Sequence, residues 1–334
     1  MVPESSTAQV AQFRTIGKDR ASSPGWNGRK NVTFPSSAVA PMPTPSIRGR
    51  IADIEIEIDQ ARRQGPLTQI VVPPCPELLT RLEQVMKADE PDLAEVARIA
   101  NADVAMTATL VRHANGALFA GNPPVASAGQ AMNRLGLRRT AELMRAFLVR
   151  HAIPVRSPLL NGFWDHSTQR AETMAWIAGQ LPGLSPDLAY SVGLFCHVGQ
   201  PVLMQSLRGY GGTMVEGRAR RDRSFGETEN ANHRTDHAVA GALTVRCWNL
   251  APAVVAAVRL HHSLESLGSR HIEPEVQTLL AAALVADMLV ARRNGLTPEP
   301  EWEKFHPGAL GWLGIALDDV DGWHDALSES VAAD

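Results

Sequence analysis

Hydrophobic residues recur at helical spacing over most of the chain. In the segment PELLTRLEQVMKA, for example, one helical face carries Leu78, Leu82, Val85 and Met86. Glycine and proline fall between such segments, at the positions where helices end. The pattern contains neither paired alternating strands nor a βαβ rhythm. The sequence therefore predicts an all-α fold built as a multi-helix bundle.

Some helices can be bounded more closely. The segment SAGQAMNRLGLRRTAELMRAFLV predicts two short helices hinged near Gly136. A helix is predicted from Pro186 to Leu207, followed by a looser region around YGG. Within that helix, the apolar stretch LFCHVGQPVL would carry His197 into the core.

The two ends of the chain and the segment at 49–65 differ from the helical pattern. Residues 1–48 are rich in Ser, Pro, Gly and Thr, which predicts a disordered tail, either passive or docking on a partner. Residues 49–65 form a linker or a short helix. Ile51, Ile54 and Ile58 share a helical face there, but the IEIEI alternation also fits a strand.

Composition excludes several classes of protein. Hydrophobic residues make up 44% of the chain and charged residues 20%, as in soluble globular proteins. A net charge of −3 creates no field that favours nucleic acid or an anionic membrane. The three cysteines are widely spaced, so neither a disulfide framework nor a cysteine-built zinc site is expected. A polar N-terminus and interrupted apolar runs predict no secretory signal and no membrane span, hence a cytoplasmic location.

The histidines are the most informative polar residues. Five of the eleven, together with one aspartate, lie inside or beside apolar helical segments: His166, His197, His237, His261, His262 and Asp287. Imidazole nitrogens and carboxylate oxygens together suit zinc, iron or manganese. A buried aspartate is also costly unless it is paired or bound to a metal. Each histidine alone could be a core residue bonded to a backbone carbonyl, but their order on successive helices favours a shared metal site.

Four blocks of sequence carry a resemblance to a known family. They are VVPPCPELLTRLEQVM, LAEVARIANADVAMTATLVRHANGALF, SAGQAMNRLGLRRTAELM, and the set FWDHS, VGLFCHVGQPVL, DHAVAGALTVRCWNLAP and VVAAVRLHHS. They resemble the HDOD domain, the HD-related output domain of bacterial signalling proteins. The resemblance implies an HDOD domain over 66–293, with an N-terminal helical subdomain at about 66–155 and an HD-like half at about 156–293. Residues 294–334 are then a C-terminal helical extension.

The resemblance also implies a metal cluster, and the sequence departs from it. The HD superfamily of metal-dependent phosphohydrolases would use His166, His197, His237, His261, His262 and Asp287 as ligands, with an aspartate directly after the second histidine. Here Val198 stands in that position and has no lone pair to offer. The Gly-Tyr-Pro signature of the HD-GYP phosphodiesterases does not follow His262, and Gly162 replaces a glutamate that they often carry. We therefore expect a degenerate metal site.

These observations predict a non-catalytic signal-transduction or regulatory module of the HDOD type that acts through protein–protein contacts. No catalytic residue and no cofactor are expected, although a residual divalent transition metal is allowed. The alternative is a residual metal-dependent phosphohydrolase acting on a nucleotide or a phosphodiester. A third hypothesis is a metal or small-ligand sensor. The expected partners are signalling proteins, with no nucleic acid; a nucleotide second messenger or a homo-oligomer is also allowed.

Overall fold

The structure is a computed structural model that describes residues 51–63 and 66–332. The tail predicted for residues 1–48 lies outside the described residues. The described residues all belong to one compact unit. Their regular elements are helices, with no β-strand among them, which confirms the all-α fold.

The described chain begins with α1 (Ile51–Arg63), which settles the choice between helix and strand for this segment. Ile54 and Ile58 are buried on its inner face. In addition, Glu57 pairs with Arg259 at 2.7 Å and Asp59 pairs with Arg246 at 2.6 Å. The helix is therefore attached to the histidine-bearing part of the chain by both apolar and charged contacts.

The next helices contain none of the predicted site residues. They are α2 (Glu77–Met86), α3 (Leu93–Asn101), α4 (Val104–Ala114), α5 (Ala128–Leu135) and α6 (Leu137–Ala152). The predicted hinge is confirmed, because Gly136 separates α5 from α6 with a φ of 77°, a conformation that favours glycine. The division predicted near residue 155 stays a prediction.

The histidine-bearing part and two C-terminal helices follow. The helices are α7 (Phe163–Gln180), α8 (Pro186–Phe195), α9 (Gly199–Ser206), α10 (Tyr210–Ala219), α11 (Phe225–His233), α12 (His237–Cys247), α13 (Pro252–Leu260), α14 (Pro274–Arg293), α15 (Pro300–Leu313) and α16 (Leu317–Ala332). The first two of these pack against each other, and α14 packs against α7, α13, α15 and α16.

The single helix predicted from Pro186 to Leu207 is wrong, because the chain breaks between α8 and α9 at Cys196–Val198. The break lets α9 approach the start of α12 very closely. A Cβ atom on Gly199 would lie 1.9 Å from the carbonyl oxygen of His237. Only glycine fits there, and the close approach brings His197 and His237 to the same place.

The looser region predicted around YGG is also wrong, because it forms α10. Tyr210 and Met214 are fully buried, so tertiary packing outweighs the low helix propensity of the two glycines. The tyrosine becomes part of the site described below.

Helix α14 is the core helix of the fold. By length and hydropathy alone (20 residues, mean hydropathy 1.4), it is apolar enough to cross a membrane. However, 67% of that apolar window is buried inside the protein. Burial against neighbouring helices accounts for its composition, as is usual for the central helix of an α-helical domain.

Candidate functional site

Four histidines meet where three connections between helices converge. His197 lies in the break between α8 and α9, His237 is the first residue of α12, and His261 and His262 directly follow α13. One nitrogen from each ring takes part, and these four nitrogens lie within 4.8 Å of one another. We call this group the histidine cluster. The sequence named all four residues, and the structure brings them together.

Three of the four rings have their Nδ1 atom held by an oxygen. The His237 Nδ1 lies 2.6 Å from a Glu229 oxygen and the His262 Nδ1 lies 2.8 Å from Glu301. The His261 Nδ1 lies 2.8 Å from the carbonyl oxygen of Val258. Carbonyl and carboxylate oxygens accept hydrogen bonds, so each of these Nδ1 atoms carries a hydrogen. The Nε2 atoms of the three rings then face the interior of the cluster and are the atoms that could bind a ligand.

Glu229 is a fully buried carboxylate whose bonds are all made inside the protein. It accepts a hydrogen bond from the hydroxyl of Tyr210 and another from the backbone N–H of His237, in addition to the ring contact. Burial and the neighbouring carboxylate raise the pKa of Tyr210, so its hydroxyl remains a donor. This arrangement fixes the orientation of the His237 ring.

The Nε2 atoms lie close together, but not all of them have a hydrogen-bond partner among the described residues. The His237 Nε2 lies 2.9 Å from the His262 Nε2 and 3.2 Å from the His197 Nδ1. Two lone pairs at the shorter distance would repel, so a proton or a cation must lie between His237 and His262. The His261 Nε2 is buried and has no hydrogen-bond partner among the described residues. An unpaired buried polar atom of this kind is costly, so it points to a ligand.

Charges differ within the cluster. Burial, followed by the positive charge of Arg170, lowers the pKa of His197; burial and the two neighbouring imidazoles lower that of His261. Burial also lowers the pKa of His262, but Glu301 outweighs it and raises the value to about 9. His197 and His261 are therefore neutral at pH 7 and have lone pairs to offer, while a proton on His262 can fill the short contact with His237.

These features fit a divalent transition ion such as zinc. A tetrahedral ion with bonds of about 2.0–2.1 Å to nitrogen separates its ligands by about 3.3 Å, close to the shorter separations in the cluster. Imidazoles that ligate metals usually donate their second N–H to a carboxylate or a carbonyl, as three of these rings do. The unpaired His261 Nε2 would also gain a partner. The donor set is entirely nitrogen, which suits zinc, nickel or copper better than magnesium or calcium.

A small cavity adjoins the cluster. It is lined by His197, His261 and His262, by Asp287 and Met288 of α14, and by Glu299, Glu301 and Trp302 at the start of α15. The centre of a water-sized sphere can reach about 20 Å³ of it. That is room for about one water molecule or ion and far too little for a nucleotide. The acidic residues at its rim favour entry of a cation.

Two of the six predicted ligands are not part of the cluster. His166 is exposed in the first turn of α7, and Arg170, one turn further along, reaches the site in its place. The Nε atom of Arg170 donates to Asp287, which lines the cavity but is engaged in this ion pair. The predicted aspartate therefore neutralises a guanidinium group, and among the described residues the cluster contains no carboxylate.

Val198 is fully buried, and it packs where α9 meets α12. Its Cγ1 atom lies 3.5 Å from the position that a Cβ on Gly241 would occupy. The residue directly after His197 is thus part of the apolar contact between helices. It offers no atom that could bind a metal.

Several site residues were missed by reasoning from the sequence. Glu229 and Tyr210 lie in segments with weak helical periodicity, and Glu301 lies beyond the recognisable domain. Arg170 did leave a signal, because it interrupts the buried face of α7 beside Ser167 and Ala171. A charged side chain on an apolar helix face is as costly at Arg170 as at Asp287, so Arg170 could have been a candidate for the same reason.

The fold and the site define a class of protein: an all-helical domain with histidines from successive helices gathered beside a small acidic cavity. The model of the HDOD domain family matches residues 72–264, more than half of the chain. The chain belongs to the HDOD domain family.

Solved structures share this fold at low sequence identity. An HDOD domain protein from Geobacter sulfurreducens, of unknown function, is 21% identical, with a TM-score of 0.64 over 84% of this chain and 96% of that one. A candidate signal transduction protein from Marinobacter aquaeolei VT8 is 18% identical, with a TM-score of 0.67 over 85% and 64%. A candidate phosphohydrolase from Shewanella amazonensis SB2B is 20% identical, with a TM-score of 0.60 over 83% and 94%. At these identities, the likeness establishes the fold alone.

A sequence relative is an uncharacterized protein of Treponema pallidum (strain Nichols). It is 22% identical over 253 residues, which cover 74% of this chain and 48% of the relative. The chain thus spans about half the length of the curated relative that it matches.

Proposed function

We propose that this protein is a non-catalytic signal-transduction module that acts through contacts with other proteins in the cytoplasm. The observation that carries the proposal is that, in the described residues, neither of the two positions where the HD enzymes carry a ligating aspartate offers a free carboxylate to the histidine cluster. Val198 packs as an apolar residue after His197, and Asp287 is paired with Arg170. Hydrolysis by the route of the HD enzymes would need such a carboxylate to hold the metal ions.

The dimensions of the cavity also support this proposal. About 20 Å³ of reachable space accommodates an ion but not a nucleotide or a phosphodiester. A nucleotide second messenger is therefore a less suitable ligand for this cavity than a metal ion.

The proposal is tested by a phosphodiesterase assay on the purified protein. The substrate is bis(p-nitrophenyl) phosphate, with Mn²⁺ or Fe²⁺ added in separate reactions and the His197→Ala variant as the matched control. We expect the wild type to release p-nitrophenol no faster than the variant. Multiple turnovers in the wild type that disappear in the variant would establish the alternative, a residual metal-dependent phosphohydrolase.

The histidine cluster supports a second candidate function, reversible binding of one divalent transition ion without turnover. His197, His237, His261 and His262 would hold the ion, and Glu229 and Glu301 would orient two of the rings. A bound ion would supply Lewis-acid chemistry at this position, but no substrate-sized space adjoins it. Metal content of the untreated protein near one equivalent would support this candidate, and loss of that metal in His261→Ala would assign it to the cluster.

A further inference from the structure

The start of α15 forms part of the wall around the histidine cluster. Glu301 lies in the first turn of the helix, and its Oε1 atom is 2.8 Å from the His262 Nδ1. Glu299 and Trp302 of the same turn line the cavity. The match to the HDOD family ends at residue 264, so this wall is built by a part of the chain that lies outside the matched segment.

Beyond its first turn, α15 packs mainly on α14, and α16 packs on α14 as well. The Trp312 Nε1 donates to the Thr278 hydroxyl at 3.0 Å, and Arg292 pairs with Asp321 of α16. The connection before α15 is exposed from Asn294 to Leu296. In the described structure, α15 is thus joined directly to the histidine cluster by the hydrogen bond between Glu301 and His262.

We infer that the histidine cluster and α15 are coupled: a divalent transition ion bound by the cluster strengthens the Glu301–His262 contact and holds α15 in place. The inference rests on the proposed metal binding. A bound cation withdraws electron density from the imidazole, so its Nδ1–H becomes a stronger donor to the carboxylate. In turn, the negative charge of Glu301 offsets part of the charge of a bound cation.

The two effects must be equal in size. If docked α15 raises the affinity for the ion by some factor, the ion raises the docking equilibrium of α15 by the same factor. Removal of a carboxylate that supports a ligating histidine typically lowers metal affinity about 10–100-fold. Helix α15 would then report the occupancy of the cluster to the protein surface.

The experiment compares full-length wild type with Glu301→Ala. Glu303→Ala is the matched control, because Glu303 is an exposed carboxylate on the same helix. The Glu301 side chain is 27% exposed, so its removal should not prevent folding. Zn²⁺ affinity is measured by competition with a chromophoric chelator. Hydrogen exchange of peptides from α4, α12 and α15 is followed by mass spectrometry with and without Zn²⁺.

We expect Glu301→Ala to bind Zn²⁺ about 10–100-fold more weakly than the wild type and Glu303→Ala. Zn²⁺ should slow exchange in both α12 and α15 of the wild type, leaving α4 unchanged. In the Glu301→Ala variant, saturating Zn²⁺ should slow hydrogen exchange in α12 but not in α15.

Two results would overturn the inference and leave metal binding intact. They are equal Zn²⁺ affinity in Glu301→Ala and wild type, or α15 exchange in the wild type that does not respond to Zn²⁺. A wild type that binds no Zn²⁺ would overturn the inference together with the metal-binding candidate. The proposal of a non-catalytic module would fail by a different measurement, turnover of the phosphodiester.

Discussion

Two clusters of polar side chains in the interior of this fold differ in whether their hydrogen-bonding atoms all have partners. In the arginine cluster, Arg145 of α6 donates to Glu83 of α2 at 2.6 Å and to Asp187 of α8 at 3.1 Å. Its guanidinium is nearly inaccessible, and both partners are carboxylates of the same chain. In the histidine cluster, one buried nitrogen has no hydrogen-bond partner in the described part of the chain, and two Nε2 atoms face each other at 2.9 Å.

The difference separates a structural role from a binding role. A buried charge that is paired within the chain needs nothing further, and the arginine cluster joins three helices without a ligand. A buried group with an unpaired nitrogen is incomplete unless a proton or an ion supplies the missing contact. Substitutions at the arginine cluster should therefore change stability whether or not metal is present. Substitutions at the histidine cluster should change the stability that added metal contributes.

The largest expected effect is at the arginine cluster. Arg145→Met removes two charge-assisted hydrogen bonds that join three helices, and at about 1.5 kcal/mol each we expect it to lower the free energy of unfolding by about 3 kcal/mol. The measurement is urea denaturation followed by circular dichroism. Arg150→Met is the matched control on the same helix, since Arg150 is 57% exposed and pairs with an exposed Asp165, an interaction worth less than about 1 kcal/mol. Equal losses in the two variants would remove the distinction between buried and surface pairs.

Added metal should have an effect of nearly the same size. At a free Zn²⁺ concentration of 100 times the dissociation constant, we expect the free energy of unfolding to rise by about 2.7 kcal/mol. The gain should persist in Arg145→Met and vanish in His261→Ala, as judged by thermal melts with Zn²⁺ and with a chelator. A gain that survives in His261→Ala would place the metal elsewhere.

A smaller effect is expected where α9 meets α12. Val198→Asp places a carboxyl group in an apolar contact, so we expect a loss of about 2 kcal/mol, with the aspartate shifting towards its neutral form. Val198→Thr, which adds a hydroxyl without charge, should lose less. The comparison uses thermal melts with and without Zn²⁺. If Val198→Asp were tolerated and bound Zn²⁺ more tightly, the position would belong to the metal site after all.

The smallest effect is expected at His166. Because its side chain is exposed in the first turn of α7, His166→Ala should change the free energy of unfolding by less than about 0.5 kcal/mol. Zn²⁺ affinity should also match that of the wild type in the chelator competition. A clear loss of affinity would return His166 to the ligand set that the family resemblance implies.

Hydrophobic periodicity in the sequence was sufficient to predict the all-α class and several helix boundaries. The α5–α6 hinge is one example, since glycine is a local signal for a backbone conformation that other residues rarely adopt. The break between α8 and α9 could not be predicted in the same way. It depends on contact between Gly199 and the backbone of His237, 38 positions away, which no local pattern encodes.

The sequence by itself determined which histidines were candidates and that valine follows His197, because residue identity decides which atoms can bind a metal. Only the tertiary structure decided which candidates meet. Arg170, rather than His166, reaches the site and engages Asp287, and the carboxylates of Glu229 and Glu301 come from segments where the sequence marked no candidate site residue. The physical reason is that hydrogen bonds and ion pairs depend on distances of a few ångströms between residues far apart in the chain, and those distances exist only once the helices have packed.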